Sequence, residues 1–348
     1  MNKRKLQRII RIILLAGTII SLYFVPWPIL KALLSPLPET VQEQVDKAEG
    51  YGFDGIIVYV DKKGEQPEFY TSGYKNREDK IPADPSSLFK IASVSKLYTA
   101  VAITKLAYKG RISLDGTLAD YFPDLADRIE NADRITIRMM VQHRSGILNF
   151  TDTKNYWVHP KQNDKERLAL ILDQPASFDP GNKYEYSNTN YLLLSMLIEK
   201  ITGESKFQFL KEEILDPLDL KNTYASIKDV NLDDVMSGYY VGYEEDLKTD
   251  DNGVMLATAA DLGRFIRALN DGSVFTDEKE QEIYSSIYKY DHTGLIPGYQ
   301  TIAKYHKDID AVVIQFTNTV DFDGYNWNLS EIMYNRIVKI TTMKSGSN

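Results

Sequence analysis

Ser93-Val94-Ser95-Lys96-Leu97-Tyr98-Thr99-Ala100-Val101-Ala102-Ile103-Thr104-Lys105-Leu106 is the stretch on which both the architecture and the chemistry turn. Val94, Leu97, Tyr98, Val101 and Leu106 recur at helical spacing, and Gly110 stands where such a helix should stop. A mostly buried helix is therefore expected over Ser93 to Lys109. A spacing of three puts Ser93 and Lys96 on one helix face, where the amine can reach the hydroxyl. An ordinary serine is a poor nucleophile, but a partly buried lysine whose pKa is drawn down by desolvation can act as its base. Unpaired N–H groups at the helix N-terminus would favour the negative charge that develops. The plainer reading makes Ser93 a helix cap and Lys96 a solvated residue. The same S-x-x-K spacing recurs at Ser72 to Lys75, Ser87 to Lys90 and Ser286 to Lys289. These lie across Gly73 in a turn, in the loop after Pro85, and in a Tyr-rich stretch without a clear apolar stripe. Only Ser93 opens a long apolar helix.

Two further clusters follow. Pro180 and Gly181 mark a turn, after which Tyr186, Ser187 and Asn188 sit just before an apolar helical run from Tyr191 to Ile201. A phenol beside an ammonium is favoured as phenolate, so Tyr186 could take the proton from Ser93, while Asn188 could hold a substrate carbonyl. With 23 tyrosines in the chain, Y-x-N also arises without meaning, as at Tyr74 to Asn76. Next come His292, Thr293 and Gly294, with Leu295 behind them and Gly298 after a proline. Gly294 removes bulk from a strand edge, against which a substrate could lie, with the Leu295 N–H joining that of Ser93 as an oxyanion hole. A single strand histidine is more often a packed residue. His143, His159 and His306 are scattered and give no metal-ligand spacing.

Outward from these clusters, Ile56 to Val60 and Glu68 to Thr71 read as a hairpin about Lys62 to Gly64. Tyr299 to Tyr305 and Ala311 to Thr317 read as a second hairpin about Lys307 and Asp308. Helices are expected over Glu39 to Ala48, Thr258 to Leu269 and Leu329 to Ile340. Strands at both ends with helices between imply one sheet assembled from distant segments, an α+β arrangement. A second domain in the helical middle is the alternative. No internal repeat or low-complexity linker interrupts the chain.

The N-terminus is different in kind. Ile12 to Leu30 is nineteen residues without a charge, close to the roughly 20 that span a bilayer as a helix. Six of the 41 basic residues and none of the 49 acidic ones precede residue 36, leaving 35 against 49 in the remainder. By the positive-inside rule the basic tip stays cytoplasmic and everything after about Ser35 faces outward. Residues 1–35 are thus read as tip and single-pass transmembrane anchor, and 36–348 as an extracytoplasmic domain. Pro26 and Pro28 should distort the outer end of the span. A cleaved signal peptide and a buried core helix are the rival readings. The acidic balance argues against a nucleic-acid partner, and the absence of cysteine excludes disulfides, thiolate metal sites and a cysteine nucleophile.

Taken in order, Ser93-Val94-Ser95-Lys96, Tyr186-Ser187-Asn188 and His292-Thr293-Gly294 resemble the three motifs of the serine β-lactamase and penicillin-binding-protein superfamily. The branch is the class C-like one, with its DD-peptidases and esterases. Pro180-Gly181, Gln142 to Gly146 and Gly253 to Phe265 extend the similarity, so coverage runs from about Glu39 to Ile340. The resemblance implies a β-lactamase/transpeptidase-like fold: an antiparallel sheet flanked by helices, a mainly helical subdomain, and the active site between them. It implies that Ser93 attacks a carbonyl, that Lys96 and Tyr186 share the proton traffic, and that Asn188, His292, Thr293, Gly294 and Leu295 hold the substrate. No cofactor or metal is implied. Where many relatives carry K-T-G this chain carries His292, which offers a carboxylate a weaker, pH-dependent cation. Location and analogy point to D-alanyl chemistry of the envelope, on a peptidoglycan stem peptide or a D-alanylated teichoic acid. A β-lactamase, a small-molecule esterase and a non-catalytic penicillin-binding-protein-like module are the alternatives.

Overall fold

The computed structural model describes residues 3–157, 160–161, 163–251 and 253–345; His159 lies outside them. The architecture is α+β, an antiparallel sheet flanked by helices, as the sequence suggests. Six antiparallel strands form the main sheet: β1 (Gly55–Lys62), β2 (Glu68–Asn76), β3 (Ile81–Pro82), β4 (His292–Ile296), β5 (Tyr299–His306) and β6 (Ala311–Thr317), in the order β3-β2-β1-β6-β5-β4. Both expected hairpins form. β1 and β6, some 250 residues apart in the chain, pair in the middle of the sheet with Ile57 opposite Phe316 and Tyr59 opposite Ile314.

β1 reads as a continuous apolar run because both its faces are covered. Ile56, Val58 and Val60 join Val41, Val45, Met333 and Ile337 in a core beneath the terminal helices α3 (Val41–Val45) and α9 (Asn326–Ser345). Ile57 and Tyr59 join the larger core on the other face, which continues through α4 (Ser95–Tyr108) and α5 (Asn188–Thr202) into the helical region. That core is continuous between sheet and helices. α4 is buried on all sides from Lys96 to Leu106, which explains its apolar character beyond a single stripe. Three further helices complete the frame: α6 (Lys206–Leu210), α7 (Ala259–Asp271) and α8 (Glu278–Ile287). The opening helix is shorter than Glu39 to Ala48 suggests. A capping box between Thr40 and Glu43 starts α3 at Val41, and a second short turn, Glu49–Tyr51, takes over before Gly52.

The anchor region departs most from expectation. α1 (Lys3–Tyr23) is long and apolar enough to cross a membrane and buries none of its residues. It starts among the cations and stops at Tyr23, so Ile12 to Leu30 is not one helix. Pro26 ends the run, and Trp27–Leu34 forms a separate helix, α2. α2 rests on α9 with Ala32 fully buried. The Arg336 guanidinium donates to the carbonyls of Ser35 at 3.0 Å and Pro36 at 2.6 Å and to Gln44 Oε1 at 2.7 Å. The segment after the break is therefore fastened to the folded domain.

Candidate active site

Ser93 lies in the 3-10 turn Ala92–Val94 that leads directly into α4, one turn earlier in character than the α-helix expected there. Ala92 holds φ +48, a left-handed conformation that costs a non-glycine residue of order 1 kcal/mol or more. Beside it runs β4. A Cβ on Gly294 would lie 2.5 Å from the Ile91 carbonyl oxygen and 3.0 Å from the Ala92 Cβ. The space Gly294 frees is therefore filled by the turn that carries Ser93, not left open for a ligand. Its smallness brings strand and turn together.

Lys96, buried in the first turn of α4, donates from Nζ to Ser93 Oγ at 3.3 Å and to Asn188 Oδ1 at 2.8 Å. Tyr186 Oη donates to Ser93 Oγ at 2.7 Å. The Lys96 ammonium lies 5.0 Å from the centroid of the Tyr186 ring and 5.4 Å from that of Tyr191. Two side chains, one from the first motif and one from the second, thus meet one hydroxyl, and Asn188 of the second motif holds the lysine. Asn188 is the first residue of α5, reached sooner than Tyr191 suggests. Its N–H donates to Asn149 Oδ1 at 2.9 Å and its amide to Thr151 Oγ1 at 3.1 Å.

Asn149 and Thr151, which no sequence pattern marks, and His143, from the stretch Gln142 to Gly146, hold these side chains from behind. His143 is buried at φ +56 and stacks on Tyr186 with centroids 4.4 Å apart, and its Nδ1 accepts the Ser187 N–H at 3.1 Å. Burial, with the Lys96 and Lys289 charges acting the same way, pushes its pKa down to about 3. The segment Gln142 to Gly146 was visible as a similarity, but its role depends on contacts across the fold.

His292 is enclosed. It is 6% exposed, and burial followed by the Lys289 and Lys96 charges lowers its pKa to about 3. Its Nε2 meets Tyr288 Oη at 3.0 Å, and its ring stacks on that of Tyr288. Its burial favours the neutral imidazole. Neither His292, Thr293 nor Gly294 lines the cavity above Ser93; Leu295 does.

That cavity has a volume of about 420 Å³ and is walled by Ser93, Lys96, Tyr186, Asn188 and Leu295, together with Phe150, Tyr156 and Trp157 from the helical side. No group of three or more metal-ligating side chains occurs among the described residues. A hydroxyl held between an amine and a phenol, at the foot of a cleft that admits a ligand, has the composition required for nucleophilic attack on a carbonyl.

The family description Beta-lactamase matches residues 37–289. Among curated relatives, Protein flp of Staphylococcus aureus strain MW2 is 30% identical over 152 residues, 43% of this chain and 30% of the relative. Penicillin-binding protein 4* of Bacillus subtilis strain 168 is 25% identical over 265 residues, 69% of this chain and 57% of the relative. The chain thus spans about a third to somewhat over half the length of these relatives. Among solved structures, the D-amino acid amidase of Ochrobactrum anthropi SV3 in complex with L-phenylalanine amide superposes with a TM-score of 0.77 at 22% identity, covering 89% of this chain and 99% of that one. A penicillin binding protein from Bacillus halodurans gives 0.70 at 21%, covering 84% and 97%.

Proposed function

Because the chain belongs to the beta-lactamase family, we propose that it is a serine hydrolase of the cell envelope. In this reading α1 anchors it in the membrane with its basic end cytoplasmic, the folded domain lies on the outer face, and Ser93 carries the acyl group. The observation that carries the reading is the placement of Ser93 Oγ, 2.7 Å from Tyr186 Oη and 3.3 Å from Lys96 Nζ. When all three groups hold their protons, Ser93 Oγ accepts both hydrogen bonds. Removal of one proton from the trio lets Ser93 donate to the Tyr186 oxygen as Oγ attacks the carbonyl, while the Lys96 ammonium steadies the phenolate. The N–H groups of Ser93 and Leu295 hold the oxyanion, and Asn188, fixed by Asn149 and Thr151, orients both Lys96 and the substrate. The proton then passes to the leaving group, and water hydrolyses the acyl-enzyme.

The substrate we favour is a D-alanyl group of the envelope, in a D-Ala-D-Ala stem peptide or a D-alanyl ester of teichoic acid. The names of the similar proteins, a penicillin-binding protein and a D-amino acid amidase, support D-configured acyl donors. D-alanine release is the test, measured side by side on a pentapeptide, on D-alanylated teichoic acid and, with a chromogenic cephalosporin, against lactam cleavage. Release from either D-alanyl donor that vanishes in Ser93→Ala supports the reading. Lactam turnover alone, turnover of simple esters alone, or binding without any turnover would replace it.

A further inference from the structure

The cavity continues well beyond Ser93. Asn188, Leu192, Ser195 and Glu199 line it at positions i, i+4, i+7 and i+11 of α5. At 1.5 Å per residue this helix floor reaches about 16 Å past Asn188, and there the wall includes Arg167 and Lys206. The three cations of the wall are not equivalent. Lys96 is committed to Ser93 and Asn188. Arg167 pairs with Asp164 at 2.9 Å and donates from Nε to the Lys161 carbonyl at 3.1 Å. Lys206, set at the start of α6 by the Ser205 cap, spends its main-chain N–H on Glu199 Oε1 at 3.2 Å. Its ammonium makes no hydrogen bond or ion pair among the described residues. It faces the charges of Asp164, Glu199, Lys96 and Arg167 from a burial that works against its charged form. A half-buried ammonium that makes no hydrogen bond on the wall of a binding cleft is placed to take its partner from a ligand.

We propose that Lys206 is the anion-recognition residue of this cleft and binds a single carboxylate on a peptide acyl donor. At about 3.3 Å per extended residue, the length of this floor sets four to five residues as the upper limit between that carboxylate and the scissile carbonyl. The inference deepens the hydrolase reading above and rests on it. Charge recognition sits at the α5–α6 end of the cleft, opposite the strand edge, where His292 is neutral. A peptide is favoured over a polyol-phosphate chain because successive phosphates would also lie against Glu199 and Asp164, whose carboxylates repel them.

The test is calorimetric titration of the full chain in detergent micelles, carrying Ser93→Ala so that nothing turns over. The ligands are two D-alanyl-terminated pentapeptides that differ only in Glu against Gln at the residue four before the scissile bond. The Glu peptide should bind about tenfold more tightly, the range of a charge-assisted hydrogen bond. Adding Lys206→Met should abolish the preference, and adding Lys206→Arg should keep most of it, with thermal melting showing that both variants fold. Equal affinity for the two peptides, a preference that survives Lys206→Met, or tighter binding of a glycerol-phosphate oligomer would overturn the proposal. Labelling of otherwise native chain by an uncharged fluorophosphonate tests the hydrolase reading separately. Its absence would sink that reading without altering the peptide affinities.

Discussion

Two S-x-x-K tetrads lie six residues apart, and both bury their lysine, yet only one places the amine on the hydroxyl. At Ser93 the chain is turning into α4, so the residue three positions on shares its face, and Lys96 Nζ meets Ser93 Oγ. At Ser87 the chain is extended toward the short strand Phe89–Lys90, where residues three apart point to opposite sides. Lys90 there donates to the carbonyls of Leu247 at 2.8 Å and Asp250 at 2.7 Å and packs over the Tyr299 ring. Burial lowers its pKa to about 8 against the opposing pull of Asp250, Asp246 and Asp251. The same four-letter pattern thus yields a candidate nucleophile on one element and a loop fastener on the other.

The largest contrast should appear on deleting the hydroxyls. Ser93→Ala should lower turnover by about 10⁴-fold or more, while Ser87→Ala should leave it within about twofold; equal losses would break the comparison. Exchanging the amines should separate rate from stability. Lys96→Met is expected to cost about 10²–10⁴-fold in kcat/KM. Lys90→Met should retain activity per folded molecule but destabilise the chain by about 1–3 kcal/mol, because the carbonyls of Leu247 and Asp250 lose their donor. Activity and urea unfolding measured on the same samples would check both.

A smaller effect is expected at the turn's neighbour. In Gly294→Ala the new Cβ must displace the Ile91–Ala92 backbone, so acylation should slow by roughly tenfold, on the scale at which small misplacements of reacting groups are felt, with little change in far-ultraviolet dichroism. An unaffected acylation rate would show that the strand does not set the position of Ser93.

The mildest test is acid. His143 and His292 are held neutral with folded pKa values near 3, below the unfolded value of about 6.5. The unfolded chain therefore binds more protons between those pH values. The stabilisation is complete above pH 6.5 and is lost as pH falls toward 3, by up to about 1.4 kcal/mol per pH unit for each histidine. Melting temperature should fall between pH 7 and pH 5, and His292→Gln should flatten the slope; identical slopes would show that His292 is not held neutral.

Local patterns made much of this legible. Helical spacing placed α4, alternation and turn residues placed the two hairpins, and the order of the three motifs brought Ser93, Lys96, Tyr186 and Asn188 together before any coordinates. What escaped depends on contacts across the fold. The burial that neutralises His292 comes from Tyr288 and the elements packed over it. Asn149, Thr151 and His143 brace the site from a segment about 40 residues before Asn188. Pro26 was visible as a distortion, but whether a proline bends or ends a helix is decided by what the next segment packs against, here α9 through Arg336. Lys206 carries no signature at all, because whether an ammonium finds a hydrogen-bond partner is settled only by the side chains the fold places around it.

The most direct measurement is peptide mapping by mass spectrometry after the full chain reacts with an uncharged fluorophosphonate. The account predicts one adduct, on the peptide containing Ser93, lost in Lys96→Met and kept in Lys90→Met. An adduct on Ser87 or another residue, or none under conditions that label an active relative, would contradict it.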